Sequence, residues 1–453
     1  MPGLRVLLAG LVTIALGACA HVRPQATTGC TIHAYPLLVS RNHPKFEAQL
    51  QPQLPAPPNG KPDTFQEKVA AVAGNARAQG RGALDVLVLS GGSQHGLFGT
   101  GFLIGAGDKV PDYSIVTGIS TGALQSTFAF LAHHPVHARA YPADTGAFVT
   151  GLSKDTSYLQ DLGLASSITR ERTILDKRPG GLVGGIISGS QGSLAPLHDR
   201  LVQFIDDATL DAIVEEGNKG RSLFVGVTDL DDGQGYALDM VQLARDSVRD
   251  RATYRRCYAD ALIASSSVPL AAEPVTLTIL DESTGDLLEH LFIDGGARYS
   301  VFARQIVDAV SASSMPVNFD VIVNGFLYSE DWTDRAGNRV DKWNAINLAL
   351  RAVDILENQV SRFSLDAIER LASTGSPYRY RLAFIDHDRS DAFTYRIPGY
   401  AAPDERTCFD WTEEDRRKDN PLEFHARYMA CLLAYGRERG AAQDWNLELP
   451  ARP

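Results

Sequence analysis

A serine between two glycines stands where an apolar run meets a segment of small and apolar residues. Residues 113–117 predict a short buried strand, and residues 121–131 predict a helix. A strand that turns directly into a helix at Ser120 bends sharply and lifts the hydroxyl out of the sheet. Gly118 and Gly122 remove side chains that would collide at this bend. Such a serine can act as a nucleophile once a base and an anion-stabilising pocket surround it, although an ordinary turn is the alternative for so short a cluster.

A glycine-rich loop precedes this serine, between a strand predicted at 83–90 and a helix predicted at 97–104. Its residues are Gly91, Gly92, Ser93, Gln94, His95 and Gly96. Backbone N–H groups at the start of a helix can bind a phosphate or stabilise the oxyanion of a tetrahedral intermediate. No Lys-Ser or Lys-Thr pair follows, which excludes a Walker A loop, and the glycine spacing does not fit a dinucleotide fingerprint. A tight turn that needs glycine is the remaining alternative.

An aspartate ends a third apolar strand, predicted at 290–294. Gly295 and Gly296 follow Asp294 directly. A carboxylate at a strand end is well placed to act as a base, whereas the alternative is an Asp-Gly turn. Three strand-to-loop junctions thus carry, in chain order, an oxyanion-type loop, a serine and an aspartate, and the combination is more specific than any one of them.

These motifs resemble those of the patatin-like phospholipases over roughly residues 82–330. The matching blocks are the oxyanion loop at 91–96, the elbow at 118–122, a small-residue stretch ending in proline at 264–269, and the aspartate motif at 294–296. The resemblance implies an α/β fold with three layers, α/β/α, around a central and mostly parallel sheet. It also implies a lipid acyl hydrolase that acts on phospholipids or lysophospholipids, with no metal and no cofactor.

The resemblance assigns roles to five of these residues. Ser120 is expected to attack the acyl carbonyl, with Asp294 as its base in a Ser-Asp dyad. The backbone N–H groups of Gly91, Gly92 and Ser93 are expected to form the oxyanion hole. No third member is needed in this scheme, because the carboxylate, the hydroxyl and the loop amides supply base, nucleophile and electrophile.

Two positions of the loop depart from the family pattern. Ser93 stands where the family usually has a third glycine, and His95 stands where it usually has Arg or Lys. A serine restricts the backbone more than glycine does, and a histidine is only partly charged at neutral pH. These two departures support one alternative, which is a non-catalytic lipoprotein of the same fold that binds lipid.

A second alternative is a Ser-Asp-His hydrolase. That chain order requires a histidine after the acid, and either His387 or His425 could serve. His387 follows a predicted strand at 378–386, which is a plausible position for a base. The Asp-Gly-Gly and Gly-Gly motifs nevertheless fit the dyad better.

Composition limits the possible partners. The chain has 453 residues, of which 44% are hydrophobic, and a formal net charge of −11. It is long enough for a large core, and its negative charge argues against a nucleic-acid partner. The same charge gives no general attraction to anionic lipid surfaces, so membrane contact is expected to be local or covalent.

The N-terminus predicts such a covalent contact. Residues 1–18 contain one basic residue, Arg5, and an apolar run at 6–16 that is too short to span a bilayer. The run ends in a sequence that resembles the lipobox of bacterial lipoproteins, Leu16, Gly17, Ala18 and Cys19. We expect a lipidated Cys19 in the bacterial cell envelope; Ala20, in place of Asp, favours the outer membrane. An ordinary signal peptide is the alternative.

Four further cysteines fall in an exported chain, where disulfides are allowed. They are Cys30, Cys257, Cys408 and Cys431. Three complete pairings are possible, and the sequence does not choose among them or exclude isolated buried thiols.

The remaining patterns divide the chain into four segments. They are a signal peptide (1–18), a lipidated N-terminus with a Pro-rich tether and a first helix (19–81), the catalytic core (82–330), and a C-terminal region completing the same domain (331–453). Within the second segment, 20–63 predicts an extended tether, with an arm packed on the core as the alternative, and 65–79 predicts a helix.

Several elements are predicted inside the last two segments. A hairpin is expected at 221–229 and 235–240, and the aspartates between its strands read as a turn, because calcium-loop spacing is absent. The glycine-rich residues 179–192 are a candidate lid. A strand at 317–328 and an amphipathic helix from about 342 to 373 are expected to complete the sheet and its cover.

Overall fold

The computed structural model describes most of the chain from residue 23 onward. The described residues are 23–37, 64–178, 190–301, 303–310, 315–327, 345–373, 377–400, 404–421 and 423–447. The predicted signal peptide, Cys19 and residues 179–189 of the candidate lid lie outside them.

The strands within the described residues form one large sheet and two small ones. They are β1 (Ile32–Pro36), β2 (Leu84–Leu89), β3 (Ile115–Ile119), β4 (Asp176–Lys177), β5 (Ser190–Ser193), β6 (Ser222–Asp229), β7 (Gly235–Asp239), β8 (Leu270–Ala272), β9 (Val275–Asp281), β10 (Leu287–Asp294), β11 (Val317–Ile322), β12 (Tyr378–Ala383), β13 (Thr394–Tyr395) and β14 (Arg406–Thr407).

Helices alternate with these strands along most of the chain. They are α1 (Phe65–Ala78), α2 (Leu97–Ala106), α3 (Thr121–Phe130), α4 (Tyr158–Ser166), α5 (Ala195–Phe204), α6 (Asp207–Asn218), α7 (Met240–Asp246), α8 (Arg251–Ser265), α9 (Ala303–Val310), α10 (Ala345–Ser373), α11 (His387–Ala392), α12 (Cys408–Lys418) and α13 (Ala426–Ala441).

The large sheet has the order β10-β9-β1-β7-β6-β3-β2-β11-β12. Its second half, from β6 to β12, is entirely parallel. The first half is mixed, and it curls so that β10 also pairs with the end of β6. The mostly parallel sheet predicted from the sequence is therefore confirmed, with a curled, mixed half added to it.

Two apolar cores cover the two faces of this sheet. Alternate residues of a strand point to opposite faces, and β2 shows the division. Leu87 and Leu89 join one core with α2 to α8 and α13, whereas Val86 and Val88 join the other with α1, α9 and α10. This arrangement confirms the three-layer α/β/α architecture.

Most local predictions agree with the structure to within a few residues. The first helix, the elbow strand and helix, the hairpin β6–β7 and the long helix α10 are all found, and β11 and β12 extend the same sheet. The aspartate turn between β6 and β7 is also found. The N–H groups of Asp231 and Asp232 donate to Oδ1 of Asp229, and the N–H of Gly233 donates to the carbonyl of Asp229, so the turn is closed by its own hydrogen bonds.

The predicted tether is wrong for residues 23–37. In that stretch β1 enters the large sheet between β7 and β9, so the alternative of an arm packed on the core describes it correctly. Residues 32–37 are largely apolar and buried, and burial of this short run outweighs the Pro- and Gln-rich composition around it. The rest of the predicted tether lies outside the described residues.

Two disulfides resolve the choice among cysteine pairings. Cys30 pairs with Cys257, which ties the N-terminal arm to α8, and Cys408 pairs with Cys431, which ties α12 to α13. The described residues contain no helix that is both long and apolar enough to cross a membrane.

Candidate active site

Ser120 and Asp294 meet because two strands approach the same side of β6 from opposite ends. β3 runs parallel to the first part of β6, and its last pair joins Ile119 to Gly226. β10 runs antiparallel to the last part of β6, and its last pair joins Asp294 to Val227. The carboxyl ends of β3 and β10 therefore face each other one register position apart. This convergence is a consequence of topology rather than of either motif alone.

Ser120 adopts the bend that the two glycines predict. Its φ is 55° and its ψ is −127°, a backbone conformation that residues other than glycine rarely adopt. A Cβ on Gly118 would lie 2.3 Å from the carbonyl oxygen of Gly122, and one on Gly122 would lie 2.3 Å from that of Leu89. Both positions must remain glycine for α3 to start directly behind the strand.

Asp294 is a buried carboxylate with one unpaired oxygen. Its Oδ1 accepts the backbone N–H of Gly296 at 2.7 Å. Oδ2 has no hydrogen-bond partner within the part of the chain that the structure describes. Burial raises the pKa of Asp294 to about 6, although the Ser120 hydroxyl and the Gly296 N–H oppose this by stabilising the charged form. A carboxylate with this pKa is largely ionised at neutral pH and still accepts a proton readily.

The glycine-rich loop lies against the serine. A Cβ on Gly91 would lie 2.8 Å from Cβ of Ser120, and one on Gly92 would overlap the carbonyl oxygen of Asn324. Among the described residues, no acceptor takes a hydrogen bond from the backbone N–H of Gly91, Gly92 or Ser93. These three donors are available to a ligand beside Ser120, as an oxyanion hole requires.

Two amide side chains that the sequence did not single out support this loop. Asn324 Nδ2 donates to the carbonyl of Ser90 at 2.7 Å and to Oε1 of Gln125 at 2.9 Å. Gln125 Nε2 in turn donates to the carbonyl of Gly96 at 2.5 Å, so both ends of the loop are fixed. Their positions in the sequence could have indicated them. Asn324 follows the buried strand β11 and Gln125 lies in α3, so both are close to the carboxyl edge of the sheet.

The small-residue block at 264–269 accepts hydrogen bonds from the backbone of both predicted catalytic residues. The backbone N–H of Ser120 donates to Oγ of Ser265 at 2.9 Å. The backbone N–H of Asp294 donates to the carbonyl of Ser267 at 3.0 Å. The end of α8 thus positions the serine and the aspartate relative to each other.

A cavity of about 720 Å³ contains this site. Ser120, Asp294 and the loop lie at one part of it. Much of the remaining lining is apolar and comes from residues including Leu124, Phe128, Leu162, Ile174, Leu175, Leu194, Leu197 and Leu201. Its size is typical of small-molecule sites, and the apolar part of the lining suits a hydrocarbon chain.

The cavity lining also includes charged and exposed groups. Arg351 of α10 and Arg416 of α12 line it, and so does Phe409, whose side chain is 61% exposed. An exposed phenylalanine in the lining of an apolar cavity is suited to an interface between water and lipid.

The histidines do not form a triad with the serine. Nδ1 of His425 lies 3.1 Å from Oε1 of Gln94 and 3.0 Å from the carbonyl of Glu423, and the His387 ring stacks on Phe326. Neither residue is part of the cavity lining.

His95 lines the cavity, and its ring packs edge-on against Phe326 and Tyr428. Burial, helped by the nearby His387 and His425, lowers the pKa of His95 to about 4, although a hydrogen bond with the backbone of Gly92 opposes this shift. His95 is therefore neutral at physiological pH and supplies no fixed charge to the loop.

One group of side chains outside the cavity has the composition of a metal site. Asp229, Asp231 and His290 each offer a ligand atom within 4.8 Å of the others. Asp229 Oδ2 lies 2.7 Å from Nδ1 of His290, and both oxygens of Asp231 accept from the guanidinium of Arg23. These ion pairs use the ligand atoms to tie the hairpin to β10 and to the N-terminal arm.

Comparisons with known proteins show which family this chain is similar to. The model of the patatin-like phospholipase family matches residues 87–307. Among solved structures, VipD from Legionella pneumophila matches with 10% identity over 80% of this chain and 67% of that chain, at a TM-score of 0.27. A comparison with curated protein sequences finds no match.

Proposed function

The chain belongs, through residues 87–307, to the patatin-like phospholipase family, and we propose that it cleaves acyl esters of membrane phospholipids or lysophospholipids through a Ser120–Asp294 dyad. Lipid acyl hydrolysis is the activity that the family supports. The dyad and the type of lipid are the proposal. The observation that carries it is the buried, partly unpaired Asp294 carboxylate at the end of β10, which converges on β6 with the end of β3 just before Ser120, both residues lining one cavity.

The reaction proceeds in two halves. Ser120 Oγ attacks the acyl carbonyl carbon while its proton moves to Asp294, and the N–H groups of Gly91, Gly92 and Ser93 hold the resulting oxyanion. The intermediate collapses, the proton moves from Asp294 to the departing alkoxide, and an acyl ester remains on Ser120. Water then loses a proton to Asp294 and attacks the ester. The serine regains that proton as the fatty acid leaves.

Geometry favours the dyad over the histidine alternative. His387 and His425 are engaged with Phe326 and with Gln94 and Glu423, and neither lines the cavity. Asp294 needs no intermediary to reach the serine, because the two strand ends converge.

Lipidation of Cys19 is part of the same proposal. The arm that follows is attached to the body from Arg23 onward, through the Arg23–Asp231 ion pair at 2.6 Å and the Cys30–Cys257 disulfide. Four residues of chain reach at most about 14 Å, so an acylated Cys19 would hold the body against the membrane.

The anchor would also orient the body. Asp231 belongs to the β6–β7 turn, at the same edge of the sheet as Ser120, because β6 runs only three residues past the Ile119–Gly226 pair before it ends. We therefore propose that the catalytic edge faces the membrane that carries the anchor. On this account the outer membrane of the producing bacterium is the source of the lipid substrate.

The experiment compares the protein starting after Cys19 with its Ser120→Ala variant on phospholipid and lysophospholipid vesicles, with products identified by mass spectrometry. Ser126→Ala serves as the matched control, since Ser126 is buried in the same helix and donates only to the carbonyl of Ala123. Fatty acid release that disappears in Ser120→Ala and persists in Ser126→Ala supports the proposal. Release that persists in Ser120→Ala contradicts it.

A further inference from the structure

Ser93 is held in a backbone conformation that serine disfavours. Its φ is 48°, in the left-handed region that favours glycine. The residue sits in the middle of the loop that lines the cavity beside Ser120, and its own N–H is one of the three donors without an acceptor among the described residues. Any relaxation of Ser93 toward negative φ would rotate the adjoining peptide units and turn these donors away from the substrate. Something other than intrinsic preference must therefore keep the loop in this shape.

The contacts that do so come from both sides of the loop. Oγ of Ser93 donates to Oε1 of Glu423 at 2.5 Å. The carbonyl of Ser93 accepts from Oγ1 of Thr121, the residue after the nucleophile, at 2.9 Å. Oε1 of the adjacent Gln94 accepts the backbone N–H of His425 at 3.1 Å. The segment of Glu423 to His425 thus binds two successive residues of the loop.

This segment is itself fixed on the far side. The N–H groups of Glu423 and Phe424 both donate to Oε1 of the buried Glu171, at 2.7 and 2.9 Å. Those of Arg427 and Tyr428 donate to Oδ2 of Asp415, at 2.8 and 3.1 Å.

A covalent bond closes the same region, since the Cys408–Cys431 disulfide joins the two helices that flank the segment. The segment that carries Glu423 is therefore held in place by several hydrogen bonds and a disulfide.

We propose that Glu423 is a positioning residue for the reaction: its hydrogen bond with Ser93 keeps the loop amides aimed at the oxyanion. This inference rests on the proposed function, because it assumes that the loop stabilises negative charge developing beside Ser120. Glu423 lies outside residues 87–307, so the C-terminal region contributes a part of the active site that the family match does not include. A misaligned loop would weaken binding of the transition state more than binding of the substrate, so the effect should appear in kcat.

The first test compares two substitutions of Glu423. A purely structural role would not lower kcat while leaving KM nearly unchanged. Glu423→Ala removes the acceptor, and we expect kcat on a soluble ester to fall about 10- to 100-fold with KM changed less than about threefold. Glu423→Gln keeps an acceptor oxygen and should retain more activity than Glu423→Ala. Glu438→Ala, at an exposed carboxylate on the neighbouring helix α13, is the matched control and should leave the rate unchanged.

The decisive variant combines Glu423→Ala with Ser93→Gly. Glycine adopts positive φ without cost, so the loop no longer needs the hydrogen bond. We expect the double variant to match Ser93→Gly alone within about threefold. A tenfold or larger further loss in the double variant, or a single Glu423→Ala variant with unchanged kcat, would overturn the inference.

If Glu423→Ala fails to fold, Ser93→Ala removes the same bond from the other partner and should lower kcat similarly; an unchanged kcat there counts against the inference. Failure of the proposed function is distinguishable, because it appears as activity retained in Ser120→Ala.

Discussion

The hydroxyl of Ser265 accepts the backbone N–H of Ser120 at 2.9 Å and donates to the carbonyl of Gly226 at 2.6 Å. One side chain at the end of α8 therefore joins the strained residue of the elbow to the strand on which β3 and β10 converge. All three groups are buried, so these bonds are made away from water. The bond also shows that the Ser120 N–H is occupied, so this group is not one of the donors available to an oxyanion.

Replacement of Ser265 should affect both stability and rate. Ser265→Ala leaves the Ser120 N–H and the Gly226 carbonyl buried without partners, and we expect the free energy of unfolding to fall by about 2 kcal/mol. Relaxation of the elbow should also lower kcat. Denaturant unfolding and ester hydrolysis measure the two effects. Ser266→Ala is the neighbouring comparison for stability, and a loss in Ser266→Ala as large as that in Ser265→Ala would contradict this role for Ser265.

The rate should depend on the ionisation of Asp294. The folded pKa is about 6, raised from 3.8 by burial, and only the carboxylate can accept the serine proton. We expect kcat/KM to be constant above about pH 7 and to fall tenfold per unit below pH 6. A pH–rate profile on a neutral ester measures this. A profile without an inflection between pH 5 and 7 would be evidence against Asp294 as the base.

Phe409 should matter only when the substrate is part of a membrane. Its side chain lines the cavity and is 61% exposed, so it can enter the lipid surface while the acyl chain enters the cavity. Phe409→Ser is expected to lower hydrolysis of vesicle lipids about tenfold, in line with the free energy of burying one such side chain, and to leave a soluble short-chain ester unaffected. Val248→Ser, at a residue 72% exposed and outside the cavity, is the control. Equal losses on both substrates would exclude this interfacial role.

The sequence was informative wherever local sterics decide the structure. The elbow could be predicted because Gly118 and Gly122 are required by close backbone contacts within a strand and the helix that follows it. The parallel half of the sheet could be predicted because strands and helices alternate along that part of the chain.

Long-range pairing was beyond the same reasoning. No residue near Asp294 in the sequence indicates that β10 pairs with the end of β6. Likewise, no residue near Glu423 indicates that its Oε1 accepts a hydrogen bond at 2.5 Å from Oγ of Ser93, which is 330 residues earlier in the chain. The arm at 23–37 was misjudged for a related reason. A composition averaged over a Pro-rich stretch hides a five-residue strand that is stable only because β7 and β9 are present on its two sides.

The Asp294→Asn variant tests the dyad most directly. The substitution keeps the size of the side chain and removes the base, so turnover of phospholipid vesicles should fall about 10³-fold or more. The fold should persist. Because burial raises the pKa of Asp294, its charge opposes folding above pH 6. The free energy of unfolding of the variant should therefore equal that of the parent or exceed it by up to about 3 kcal/mol. A folded Asp294→Asn protein that releases fatty acid at the parent rate would contradict the Ser-Asp mechanism.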